Sequence, residues 1–209
     1  MNNNYDIRVL NEEELDKAYN AVLNDKAYGD EFKLVEKVLN QYPKNDDVNI
    51  VAMKIALIDV TNSTHLHQHK QNINLYQLAK FITNSQLKFD DRVEKGDETL
   101  VNDIARNNGS KNLFSFASKY CYYHNSMVYH GDDYAKYDGI VNKCLPLYAE
   151  KFKVKYNNKK ITSHTLEGLR KNYNYSDFNQ IIKSVLMDIK VKGKIGKFDA
   201  VMWYYNRGN

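Results

Sequence analysis

Apolar residues recur along this chain mostly at three- and four-residue spacing, the period of one helix face. Between Asn11 and Asn24, Leu15, Tyr19, Val22 and Leu23 fall on such a face, behind three glutamates suited to the positive end of a helix. Asp30 is placed to cap a second helix carrying Phe32, Val35, Val38 and Leu39, which Pro43 and the polar residues after it end. Asp46 or Asp47 caps a third helix, to about Thr61. Its run Ile50-Val51-Ala52-Met53-Lys54-Ile55-Ala56-Leu57-Ile58 is nearly all apolar, which predicts the most buried element of the fold. Asn62-Ser63-Thr64 forms a polar mouth before a further helix, Asn72 to Thr83.

The second half reads the same way. Gly96 ends a short helix in the polar turn Asp90 to Asp97, and Asp97 caps a helix to about Arg106 that buries Leu100, Val101 and Ile104. Asn107-Asn108-Gly109-Ser110 breaks it. A helix from Phe116 to Tyr123 carries Phe116, Tyr120 and Tyr123 on one face, a stripe read as core rather than as a platform for stacking bases. Asn125 to Asp133 reads as a loop, and Asp138 caps a helix with Ile140, Val141, Leu145 and Tyr148. Lys151 to Lys160 reads as a helix end followed by a basic loop turning at Asn157-Asn158. Ser176 caps a long helix carrying Phe178, Ile181, Ile182, Val185, Leu186 and Ile189, and a last helix, Ile195 to Tyr205, presents Phe198, Met202 and Trp203. The expected fold is all-α, a compact bundle of about 8–10 helices with very little strand.

Composition narrows the class. The 209 residues are 43% apolar with only two prolines, enough for a proper core in one all-helical domain over 1–209. Within it, 11–43 would be scaffold, 46–150 the core with the site, and 151–209 basic helices. No segment approaches the roughly 18 apolar residues that span a bilayer, and the N-terminus MNNNYDIRV lacks a basic-then-apolar signal. The expectation is a cytoplasmic protein with no membrane partner. Cys121 and Cys144 are too few for a disulfide framework and read as reduced and structural. The net charge of +4 is uneven: residues 151–209 carry +9 and residues 1–150 carry −5. A basic third of this kind either meets phosphates or is simply solvated. The histidines of His65-Leu66-His67-Gln68-His69 read as exposed loop residues rather than zinc ligands, since neither cysteine is near in sequence. The acidic turn at Asp90 to Asp97 likewise reads as solvated charge. No metal, no small-molecule cofactor, no phosphate-binding loop, no dinucleotide fingerprint and no serine-hydrolase elbow is called for.

One stretch carries chemistry. Asn112 to Val141 holds Lys119 and, 19 positions on, Asp138. Leu113-Phe114-Ser115-Phe116-Ala117-Ser118-Lys119 falls on the pattern L-P-G-x-G-x-K, with Ser115 and Ala117 in place of the two glycines. This resembles the core of a helix-hairpin-helix DNA glycosylase of the 8-oxoguanine type, in which a hairpin ends in the catalytic lysine and an aspartate follows at about this distance. The resemblance implies Lys119 as the nucleophile that forms a Schiff base with the sugar, and Asp138 as the carboxylate that stabilises the developing cation. It implies double-stranded DNA carrying a damaged or modified base as the partner, gripped through Ser115, Ala117 and Ser118, while Lys153, Lys155, Lys159 and Lys160 of the basic third meet the backbone. Serine and alanine lack the free φ of glycine, so the hairpin is expected to be reshaped. The alternative reading is a helical DNA-binding or protein-interaction module of the same fold without activity.

Overall fold

Short polar side chains set many of the helix starts. Asn11 accepts the Glu14 N–H at 2.8 Å and opens α1 (Glu12–Leu23). Asp47 accepts from Asn49 and Ile50 and opens α3 (Val48–Thr61), and Asn74 opens α4 (Leu75–Ile82). Asp138 opens α8 (Gly139–Lys151), Thr162 opens α9 (Ser163–Lys171) through a capping box with Thr165, and Asn174 opens α10 (Tyr175–Asp188). Between these lie α2 (Tyr28–Gln41), α5 (Phe89–Glu94), α6 (Thr99–Arg106), α7 (Phe114–Tyr123) and, at the end, α11 (Ile195–Asn206). The computed structural model describes residues 5–64, 66, 74–107, 111–191 and 194–207.

The protein is all-α, and 66% of the described residues are helical. Strand among the described residues is confined to one hairpin, β1 (Lys155–Tyr156) against β2 (Lys159–Lys160). Asn157 and Asn158 turn it with φ of 49° and 62°, the left-handed values that a tight two-residue hairpin needs and that asparagine tolerates. The expected basic loop is therefore a small ribbon. Among the described residues eleven α-helices stand where about 8–10 were expected. The helix that periodicity missed is α9, which buries only Leu166 and Leu169 and contains Gly168.

Several boundaries differ for local reasons. Asp30 lies inside the first turn of α2. It is Asp25 that accepts the Ala27 and Tyr28 N–H groups at 3.0 and 3.2 Å there. Ser176 lies inside α10, which Asn174 caps instead. Asp97 still serves α6, accepting the Thr99 N–H at 3.0 Å. α7 starts two residues earlier than expected, at Phe114, whose N–H is taken by Asn112 Oδ1 at 2.9 Å. The expected loop from Asn125 begins instead as a π-helix, His124–Val128, continuing α7. The expected start at Asn72, the histidine run except Leu66, and most of the break at Asn107 to Ser110 lie outside the described residues.

The expectation that the third helix is the most buried element is corrected. In α3 only Val51, Lys54, Ile55, Ile58 and Asp59 are buried, and Val60 is 69% exposed. α7 is buried from Phe114 to Tyr123 at every position but Ser115. An apolar run records only that burial is tolerated all round, and here neighbours cover one side of α3. α7 runs between α3 and α6 and leads into the π-helix. One buried cluster extends from Leu10 to Met202, and α1 packs on α11 so that the two ends of the chain share it.

The corner between α1 and α2 leaves no room for a side chain at Gly29. A Cβ there would stand 2.3 Å from the Leu23 carbonyl oxygen, a backbone atom that cannot swing aside. Gly29→Ala is expected to destabilise the fold by about 2 kcal/mol, the scale of core overpacking. A urea midpoint equal to that of the wild type would show that the corner yields freely.

Candidate functional site

A cavity of about 430 Å³ lies where α1, α2, the end of α3, α7, the start of α8 and α11 meet. Lys119 reaches it from the middle of α7, Asp138 from the cap of α8, and Asn62 and Ser63 from the polar mouth after α3. The lysine and aspartate singled out by the sequence therefore line one cavity.

Lys119 is only 6% exposed. Its amine donates to the Asn62 carbonyl at 3.0 Å, and the Asn62 side chain accepts the Tyr123 hydroxyl at 2.7 Å, so the end of α3 is tied to α7 on both sides. Burial is the chief reason that the Lys119 amine sits below the usual lysine range. Asp138 and Asp199 oppose that fall, and the positive charge of Lys136 reinforces it. Asp138 accepts the Val141 N–H at 2.8 Å, so the same carboxylate that caps α8 borders the cavity.

Two further charged residues belong to the site. Lys136 is held by Asp199 at 2.6 Å and lies over the rings of Tyr122 and Tyr123 at 4.7 and 5.6 Å. Burial works against its charge, but Asp199 and the two tyrosines hold it well above the usual lysine range. The other carboxylate oxygen of Asp199, Oδ1, is buried without a hydrogen-bond partner. α11 can approach this closely because residue 196 is glycine: a Cβ there would stand 2.5 Å from the Tyr122 hydroxyl. Sequence reasoning passed over both residues. The signal for Asp199 was present, an acid set among Phe198, Ala200 and Val201 on a helix whose apolar face must be buried.

The residues expected to grip DNA are placed otherwise. Leu113 to Lys119 does not form a hairpin, because α7 already begins at Phe114. Ala117 donates its N–H to the Leu113 carbonyl at 2.8 Å, inside the helix. Ser118 is buried, donating to the Ser115 carbonyl at 2.9 Å and accepting the Tyr137 N–H at 3.0 Å. Ser115 donates to the Tyr137 carbonyl at 2.9 Å. The small residues let α7 and the segment before α8 touch, which fixes Lys119 relative to Asp138; a phosphate has no path to Ala117 or Ser118. Of the aromatic stripe, Phe116 and Tyr120 are core, whereas Tyr123 lines the cavity.

Lys153, Lys155, Lys159 and Lys160 are exposed on and beside the β-hairpin, with Lys160 paired to Glu150 at 2.6 Å. They sit at the far end of α8 from Asp138, about 20 Å away at the helical rise per residue. The acidic turn is used internally: Arg92 pairs with Asp97 and Asp103 at 2.6 and 2.8 Å, and Asp90 accepts from Asn45 at 2.7 Å. Among the described residues no cluster of metal-ligating side chains occurs, and no helix is long and apolar enough to cross a membrane.

The family model HI_0787_N, an N-terminal domain, matches residues 12–128. That span runs from α1 through the π-helix and takes in Asn62, Lys119 and Tyr123, while Lys136, Asp138 and Asp199 lie beyond it. No curated protein and no solved structure matches the chain. With more than half of its length matched, the chain belongs to the HI_0787_N family.

Proposed function

We propose that this protein excises a base from double-stranded DNA, with Lys119 as nucleophile and Asp138 as its carboxylate partner. The observation that carries this reading is the placement of Lys119, desolvated by its burial, on the cavity that Asp138 also lines. An amine attacks only when neutral, and burial favours the neutral form. The cavity volume falls within the range of about 300–1,000 Å³ usual for small-molecule sites, a scale that admits one extruded base.

In this mechanism the Lys119 nitrogen bonds to the anomeric carbon of the sugar. The glycosidic bond breaks with its electron pair going to the departing base, which takes up a proton. Asp138 stabilises the cationic charge on the sugar and accepts the proton that the amine nitrogen must lose. Opening of the sugar ring leaves an imine between Lys119 and the sugar, from which a lyase branch can cut the strand. The reaction needs no metal or cofactor. Borohydride trapping on a panel of duplexes carrying different damaged bases tests the reading, because hydride converts that imine into a stable secondary amine. Absence of trapping and of base release on every duplex would sink it.

One observation favours the second reading, a DNA-binding or interaction module without activity. The hairpin that aims backbone N–H groups at a phosphate is replaced by the first turns of α7. Phosphate contact would then fall to exposed lysines such as those of the β-hairpin. If the protein binds duplex DNA, with or without activity, its affinity is expected to fall steeply with salt as counterions are released. Charge reversal at Lys153, Lys155, Lys159 and Lys160 should weaken binding further and reduce the salt slope, with little regard to sequence. Affinity indifferent to both salt and these reversals would assign the basic ribbon to solubility.

A further inference from the structure

Two of the lysines that line the cavity, Lys119 and Lys136, are largely buried, and they are held in opposite ways. Lys136 has a carboxylate at 2.6 Å and two tyrosine faces beneath it, all of which suit a cation. Lys119 donates to a backbone carbonyl, a partner that a neutral amine satisfies as well as a charged one. Two largely buried ammonium groups on one cavity repel, so the proton stays where the better partner is. We propose that Lys136, clamped by Asp199, is a built-in cation of this site, a positioning residue that keeps the Lys119 amine in its free, nucleophilic form. The inference deepens the glycosylase reading where it calls Lys119 a nucleophile. The assignment of charge between the two lysines holds whatever the cavity receives.

The groups facing Lys119 pull both ways. Asp138 at the start of α8 and Asp199 of α11 favour its charged form, while burial and Lys136 favour the neutral one. Glu31 and Tyr28 of α2, Lys143 of α8, Tyr19 of α1, Tyr122 and Tyr123 of α7, and Arg207 after α11, which pairs with Asp25 at 2.7 Å, complete the ionisable lining. Asp199 serves the cation chiefly: one oxygen holds Lys136, and the other is left buried and unpaired. Truncating Lys136 would thus do two things with one sign. It would remove the cation and free Asp199 to stabilise a proton on Lys119.

The test is reductive methylation of the full chain with formaldehyde and cyanoborohydride, followed by mass spectrometry of the Lys119 peptide. The readout is the ratio of the methylation rate at pH 7 to that at pH 10, which removes the effect of steric access. Lys136→Met is expected to lower this ratio at least about tenfold, one pKa unit, while Lys136→Arg keeps it near the wild-type value. A folded Lys136→Met protein with the wild-type ratio would overturn the proposal and make the pair a structural one. Should Lys136→Met fail to fold, Lys136→Gln decides, because it is neutral and keeps a donor toward Asp199: a lowered ratio supports the cation and an unchanged or raised one refutes it. Borohydride trapping on damaged duplexes is run beside it. Shifted methylation without trapping would retain the built-in cation and discard the glycosylase; trapping with unshifted methylation would do the reverse.

Discussion

Lys119→Ala is expected to lower base release by at least about a thousandfold and to abolish borohydride trapping, since a nucleophile acts with its partners as one unit. The side chain is enclosed, so its loss removes buried methylenes and, with them, a desolvated amine. These effects on stability oppose each other, and the melting temperature should change little. Asp138→Asn should also slow base release strongly, and the two losses should not add in the double variant, because both residues act on one transition state. Asparagine caps a helix about as well as aspartate, so Asp138→Asn is expected to cost α8 well under the roughly 0.5–2 kcal/mol of an alanine. Folding is measured beside activity to check this. If the chain is an interaction module, Lys119→Ala leaves its behaviour on DNA unchanged. Wild-type base release from a folded Lys119→Ala protein would remove the lysine from the mechanism.

The second large effect concerns pH. His124, fully buried in the π-helix, bonds through Nδ1 to the Tyr120 carbonyl at 2.9 Å and packs against the rings of Phe89 and Tyr120. Its Nε2 has no partner, and burial, with the nearby charge of Lys54, pushes its pKa down to about 3. The folded protein thus keeps the imidazole neutral where the unfolded chain takes up a proton below about pH 6.5. The unfolded state binds more protons across that window, so stability is full above about pH 6.5 and falls as the pH drops toward 3. The loss from this one group approaches 1.4 kcal/mol per pH unit, or about 3 kcal/mol by pH 4. His124→Phe keeps a ring against Phe89 and Tyr120. It is expected to lie within about 1 kcal/mol of the wild type at pH 7 and to exceed it by about 3 kcal/mol at pH 4. Carboxylates titrate in both proteins and cancel in the comparison. Denaturant midpoints that fall in parallel for the two proteins would show that His124 does not drive the acid loss.

Much of the fold was legible in residue order because helices are local. The 3.6-residue period placed α1, α2, α3, α8, α10 and α11, and Asn11, Asp47 and Asp138 mark their starts by chemistry that reaches only two or three residues. α9 escaped because its apolar positions are too few to show a period, and the β-hairpin because two asparagines look like any polar turn until both adopt positive φ. Which apolar helix is most enclosed was not legible either. α3 and α7 are both rich in apolar residues, and only packing decides that one keeps Met53 and Val60 in water while the other is covered almost throughout.

The candidate site divides along the same line. The sequence by itself determined an all-α protein, the cap at Asp138, and the 19-residue spacing that lets Lys119 and Asp138 sit on consecutive elements. The tertiary structure alone decided that both open on one cavity, that Ser115, Ala117 and Ser118 join two segments of the protein, and that Lys136 and Asp199 form the site's ion pair. Asp199 lies 63 residues beyond Lys136 on the last helix, and no local rule links them. Their pairing exists because α1 and α8 pack on α11 and bring that helix over α7, which buries charges that must then find each other.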